Sequence, residues 1–151
     1  MKLYKFERLQ NLPIDLQTAW DFFSSPQNLS RITPKKMGFQ ILYSIDKEMF
    51  AGQIIAYTIK PILGIPITWV TEITHFEQPN FFIDEQRFGP YKFWHHQHKF
   101  RKTDSGIEMT DIVHYAIPFG FLGRIINFFI VRKQLEAIFN YRTKKLSEIF
   151  N

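Results

Sequence analysis

Apolar and polar positions along this chain follow two different periods. Leu16, Ala19, Trp20 and Phe23 fall at helical spacing behind Pro13 and Asp15, which predicts a short helix with Asp15 as its N-cap. Ahead of it, residues 2–8 alternate loosely around Leu3 and Phe6 and predict a first strand. Pro26 interrupts, and residues 28–32 predict a second short helix, stopped by Thr33 and Pro34. The middle of the chain then changes period. Segments 38–45, 52–60, 67–76, 81–88, 92–102 and 107–117 are rich in β-branched and aromatic residues and are separated by turn residues, so each predicts a strand. Residues 121–150 return to helical spacing and predict one long helix, about 45 Å at 1.5 Å per residue.

That order, β-αα followed by six strands and a terminal helix, predicts an α+β fold with an antiparallel sheet and its helices on one side. Seven strands spaced ~4.8 Å apart make a sheet about 34 Å wide, which the last helix is long enough to cross. No repeat, low-complexity tract or linker divides residues 1–151, so a single domain is expected.

Composition narrows the function. Hydrophobic residues at 45% and aromatics at 17% exclude a disordered chain. The 17 phenylalanines imply either a core built of large rings or a cavity lined by them. There is no Cys, which excludes disulfide and thiolate chemistry and fits a reducing, cytoplasmic compartment. The start, "MKLYKFERLQNLP", has no apolar core of a signal peptide, and the run "FFIV" is far shorter than the ~20 residues of a membrane span. A formal charge of +5 is compatible with anionic partners or a membrane surface. The basic residues are scattered without the aromatic-basic motifs of nucleic-acid modules, so nucleic acid is not an expected partner.

The stretch "KFWHHQHKFRKTDSGIEMTDIVHY", residues 92–115, holds four of the five histidines. Closing a hairpin at "TDSG" pairs Lys102 with Ile107, Arg101 with Glu108, Phe100 with Met109 and His98 with Asp111. Alternation then sorts the side chains. Trp94, His96, His98, Phe100, Met109, Asp111, Val113 and Tyr115 share the more apolar face, and His95 and His114 lie on the other. Asp111 opposite His98 suits an orienting carboxylate in acid–base catalysis, and it equally suits a buried histidine that is merely hydrogen-bonded. Two histidines at i and i+2 can share a metal, but a third ligand has to come from elsewhere, and no metal site or cofactor is assigned.

Taken together, "LPIDLQTAWDFFSSPQNLSRITP", "GIPITWVTEIT", "FIDEQRFGPYKFWHHQHKF", "MTDIVHYAIPFG" and "FNYRTKKLSEIF" resemble the START/Bet v1-like superfamily, also called SRPBCC or helix-grip. The likeness spans essentially the whole chain and is nearest to the bacterial ligand-binding SRPBCC and polyketide cyclase-like branch. It implies a curved seven-stranded antiparallel sheet wrapped around the C-terminal helix, two short helices after the first strand, and a cavity between sheet and helix. It says little about chemistry, because members include carriers, receptors and cyclases.

Trp69, Trp94, Phe100 and Met109, with polar tips at Tyr115, His96, His98 and Asp111, are the mixture expected of a small-molecule pocket. An empty void of ~300 Å³ would cost roughly 7 kcal/mol, so either phenylalanines fill the interior or something binds there. Two apolar segments, "KPILGIP" and "IPFGFLGRIINFFIVRK", are candidate entrances, and the second suits transient contact with a membrane through Arg124, Arg132 and Lys133. The bulge expected near Gly89 and Pro90 leaves open which of Glu72, Asp84, Glu85 and Gln86 face inward. Arg142 is expected to face solvent or to cap the helix end.

Three functions remain open. The first is a binder of a hydrophobic small molecule or lipid, with no obligate protein partner. The second is an enzyme of cyclase, dehydratase or hydrolase type that uses His98 held by Asp111. The third is an interaction module that uses the apolar mouth.

Overall fold

A computed structural model of the chain describes residues 1–45 and 48–151. Strand β1 (Tyr4–Leu12) is followed by helices α1 (Leu16–Phe23) and α2 (Pro26–Leu29) and two 3₁₀ turns, Ser30–Ile32 and Lys35–Met37. Six more strands come next: β2 (Gln40–Tyr43), β3 (Gln53–Ile59), β4 (Ile67–Glu77), β5 (Phe81–Phe88), β6 (Phe93–Thr103) and β7 (Gly106–Ala116). Helix α3 (Gly120–Ile126), a π-helical turn (Asn127–Val131) and helix α4 (Arg132–Phe150) close the chain. The strands form one antiparallel sheet in the order β1-β7-β6-β5-β4-β3-β2. The sheet curves around the C-terminal helix, as the helix-grip resemblance implies.

Local chemistry explains the elements. Asp15 caps α1, accepting from the Thr18 backbone N–H at 3.0 Å, and Pro26 opens α2 at its first position. The β6–β7 hairpin has the expected register, with Thr103 opposite Gly106 at the turn and His98 opposite Asp111. Arg101 meets Glu108 across it at 2.9 Å. Gly106 is required at this turn. Its φ is +141°, and a Cβ there would lie 2.2 Å from the Leu12 carbonyl oxygen.

Strand β1 is longer than the alternation of residues 2–8 suggests. Arg8 and Gln10 occupy inward positions normally held by apolar residues, and this hides the strand's period. Gln10 Nε2 donates to the Thr143 carbonyl at 2.9 Å, which ties β1 to the terminal helix. The long terminal helix runs continuously over residues 120–150, as expected, and contains one π-helical turn. Its π-helical turn is held by Tyr115, whose hydroxyl donates to Asn127 Oδ1 at 2.9 Å.

The packed interior forms at both ends of the gripped helix. Leu12, Trp20, Phe82, Phe100, Ile107, Met109 and Leu146 cluster beneath α1, while Val113, Tyr115, Val131, Leu135 and Phe139 pack at the other end. A third group, Met37, Ile59 and Trp69, packs on the same concave face toward its β3–β4 end. Between these groups the interior is not filled.

Candidate functional site

The space between the concave sheet face and α4 is a cavity of about 410 Å³. Phenylalanines line it rather than plug it: Phe22, Phe23, Phe39, Phe82 and Phe139 stand in its walls beside Ile55, Trp69, Trp94 and Ile138. Both expected entrance segments border it. Pro61 and Ile62 contribute from one, and Ile117, Pro118, Phe119 and Ile126 from the other.

Four side chains form a compact polar group on the sheet wall. β6 presents His96 and His98 on one face at i and i+2, with their rings 3.8 Å apart. β7 brings Asp111 beneath both rings, and β5 brings Asp84 against them from the cavity side. His96 Nε2–H donates to Asp111 Oδ1 at 2.8 Å, and His98 Nε2–H donates to Asp84 Oδ2 at 2.7 Å. The second nitrogens are also close to carboxylates. His98 Nδ1 is 3.0 Å from Asp111 Oδ1 without hydrogen-bond alignment, and His96 Nδ1 is 3.6 Å from Asp84 Oδ2. Hairpin pairing alone suggested a single His98–Asp111 bond. The structure gives His98 its hydrogen bond to Asp84 and gives Asp111 to His96, because β5 lies on the other side of β6 and supplies a second carboxylate at the same level.

Electrostatics shifts the two rings in opposite directions. Burial alone would raise both carboxyls, but hydrogen bonds and charge from the histidines outweigh it and hold Asp111 and Asp84 below the ordinary carboxylate range. Burial also works against a charged His98, yet its contacts with Asp111 and Asp84 prevail and raise its proton affinity. His96 is pushed the other way, by burial first and then by the neighbouring His98 charge. The arrangement therefore favours a charged ring at His98, between two carboxylates, over one at His96, whose Nε2 lies 2.8 Å from Asp111. Asp84, His96 and His98 also offer one ligand atom each within 4.8 Å of one another, a possible metal set whose third member sequence spacing did not supply. A divalent ion there would have to displace the His98 proton.

The remaining candidates divide by position along the strands. Trp69, Trp94, His96 and His98 line the cavity. Phe100 and Met109 share their face but sit farther along it, in the closed core against Trp20 and Leu146. Asp111 lies behind the histidines and is fully buried, and Tyr115 is engaged by Asn127. His95 and His114 are on the outer face, where His95 Nε2 comes within 3.8 Å of Glu85. Of the four undecided residues, Asp84 faces the cavity. Glu72 and Glu85 pair outside with Arg87, and Gln86 clamps the turn by donating to the Tyr91 carbonyl at 2.7 Å. The bulge falls at Arg87, just before the expected place, since Val70 is opposite Phe88 while Thr71 is opposite Gln86.

Arg142 is a correction. It neither faces solvent nor caps the helix end: it is 9% exposed, lines the cavity, and lies with its guanidinium 4.8 Å from the Phe139 ring centre. Its place on α4, after Leu135 and Phe139 and before Leu146, puts it on the gripped face. That spacing was visible in the sequence.

No family model and no curated protein matches the chain. Solved structures match in fold. Protein CV1439 from Chromobacterium violaceum superposes with a TM-score of 0.70 at 12% identity, over 97% of this chain and 96% of that one. TTHA0849 from Thermus thermophilus gives 0.68 at 13% identity, over 97% and 95%. Ara h 8.0201, a Bet v 1 family allergen, gives 0.62 at 12% identity, over 97% and 99%. At these identities the likeness establishes the Bet v1-like helix-grip fold and nothing finer. Among the described residues, no helix is long and apolar enough to cross a membrane.

The opposite shifts make stability depend on pH with opposite signs at the two rings. His98 holds its proton more tightly folded than unfolded, so its contribution is complete below the ordinary histidine value of ~6.5 and is lost as pH rises through the higher folded value. His96 favours the neutral form on folding, so its contribution is present above ~6.5 and is lost as pH falls toward the lower folded value. Urea unfolding across pH should therefore show His98→Gln flattening the decline on the alkaline side and His96→Gln flattening the decline on the acid side. Parallel profiles for the two variants would contradict the assignment.

Proposed function

We propose that the protein binds an apolar small molecule or lipid in the cavity between the sheet and α4, with Asp84, His96 and His98 anchoring a polar group of the ligand. The observation that carries this reading is the pairing of a largely apolar, 410 Å³ cavity with the buried Asp84–His96–His98 cluster on its wall. A volume of this order falls in the range of small-molecule pockets, ~300–1,000 Å³. Left dry, it would cost on the order of 10 kcal/mol at ~24 cal/mol per Å³, comparable with the whole stability of a domain. Water would find few partners on walls of Ile, Phe and Trp. In this reading Trp69 and Trp94 contact the ligand. Asp111 fixes the imidazole rings, Phe100 and Met109 support the wall from within the core, and Tyr115 holds the start of the helix.

A second reading is an acid–base enzyme of cyclase, dehydratase or hydrolase type. One observation favours it: His98 stands on the cavity wall between two carboxylates that raise its proton affinity, bonded to Asp84 and close to Asp111. Such a ring could donate a proton to a carbonyl oxygen of a bound substrate.

The cavity mouth supports uptake from a lipid surface. Leu63 at the tip of the loop over residues 60–66 is 90% exposed, and Phe119, Phe121, Phe128 and Phe129 project from the start of the terminal helix. Arg124, Arg132 and Lys133 accompany them, so the patch suits an apolar layer bearing negative charge. The same cations disfavour self-association through this face.

Two experiments follow. Because Trp69 and Trp94 line the cavity, intrinsic fluorescence should respond to dodecanol, and Ile138→Trp, which fills the space, should abolish binding without loss of thermal stability. His98→Gln should weaken dodecanol binding in a carrier by roughly 1–3 kcal/mol; binding left intact while turnover of an added ester or polyketide-like substrate disappears would favour the enzyme. In the second, the protein should co-sediment with phosphatidylglycerol vesicles and much less with phosphatidylcholine vesicles, and Phe121→Ser with Phe128→Ser should release it. Sedimentation unaffected by those substitutions would remove the mouth from the proposal.

A further inference from the structure

We propose that the ligand carries a carboxylate, or an equivalent singly charged head group, that pairs with Arg142; this rests on the cavity being a binding site. Arg142 is nine-tenths buried and lines the cavity, yet its guanidinium makes no ion pair within 4.0 Å and no hydrogen bond among the described residues. Its Nε is fully buried without a partner. It lies over the face of the Phe139 ring, 4.8 Å from its centre, which attracts the cation but does not take the place of a hydrogen-bonding oxygen. A buried guanidinium N–H left without an acceptor is disfavoured, and a group aimed into the cavity can supply the missing oxygen.

The four-residue cluster does not complete it. Asp84 is the carboxylate whose charge Arg142 feels, but Asp84 already accepts from His98 at 2.7 Å and lies beyond ion-pair distance of the guanidinium. Asp111 is held by the histidines and lies outside the cavity lining. The cluster beside Arg142 already holds two carboxylates, Asp84 and Asp111. A phosphate dianion would meet the field of Asp84 and Asp111, so a carboxylate is favoured over a phosphate. A carboxylate also matches the planar fork of the guanidinium through two parallel hydrogen bonds.

The placement sets the ligand's orientation. Arg142 lies on α4 two to three turns beyond Gln134, which donates to the Pro61 carbonyl at the mouth. A head group at Arg142 therefore sits deep, with its apolar tail running back between Trp69, Trp94 and Ile138 toward the apolar mouth.

The test compares dodecanoate, dodecanol and dodecyl phosphate by titration calorimetry against the wild-type chain, R142Q and R142K, all at a pH where dodecanoate is ionised. The wild type should bind dodecanoate about tenfold or more tighter than dodecanol, as expected for a charge-assisted hydrogen-bonded pair, and should bind dodecyl phosphate more weakly than dodecanoate. R142Q should lose the preference for the carboxylate while still binding dodecanol, and R142K should keep part of it. Equal affinity for dodecanoate and dodecanol in the wild type, or a preference that survives R142Q, overturns the inference and leaves the cavity reading intact. Binding of none of the three overturns both. Should R142Q fail to fold, the wild-type comparison together with R142K still decides.

Discussion

The structure depends on burying two carboxylates and two imidazoles inside an apolar wall without leaving any of them as an isolated charge. Asp111 makes this workable. It is fully buried, lies within 3.0 Å of both rings, and bonds to His96 while balancing the charge on His98. Removing one member of such a group leaves the others uncompensated, which is a far larger penalty than the modest net gain of any one of the bonds. The cluster therefore also fixes registers: β5, β6 and β7 can slide past one another only by separating these groups.

The apolar remainder of the interior has the opposite property. Packed groups at the two ends of the gripped helix fix its position, so the middle of the sheet is spared from filling itself. Rigid ends and an open centre together allow a cavity to persist in a domain of this size. Rings in its walls pack on one another, Trp69 edge to face on Trp94 at 5.1 Å and 87° and stacked on Tyr57 at 6.0 Å, and form a wall instead of collapsing into the space.

Much of the fold was legible because strands and helices separate by period. The β6–β7 hairpin could be numbered residue by residue from its turn and from the Arg101–Glu108 pair. The site was only half legible. Its β6–β7 half followed from that hairpin, but the parity of β5 was hidden by the bulge at Arg87, and with it the part played by Asp84. Alternation assigns a face but not a depth, so Phe100, Met109 and Tyr115 shared a face with the histidines without reaching the cavity. Arg142 was missed for a different reason. In "YRTKKL" it reads as one cation among several, and only its helical spacing from Leu135, Phe139 and Leu146 sets it apart.

The π-helical turn explains how the terminal helix keeps one side toward the sheet. Its inward residues Gly123, Asn127, Val131, Leu135 and Phe139 recur every fourth position. At 100° per residue, each such step overshoots a full revolution by about 40°, so over sixteen residues an unbroken α-helix would veer by roughly 160°. The one surplus residue of the π turn subtracts about 100° from that drift. Tyr115, by gripping Asn127, sets the angular phase of everything downstream, and Arg142 looks inward because of a correction of little more than a quarter-turn made at the opposite end of the rod.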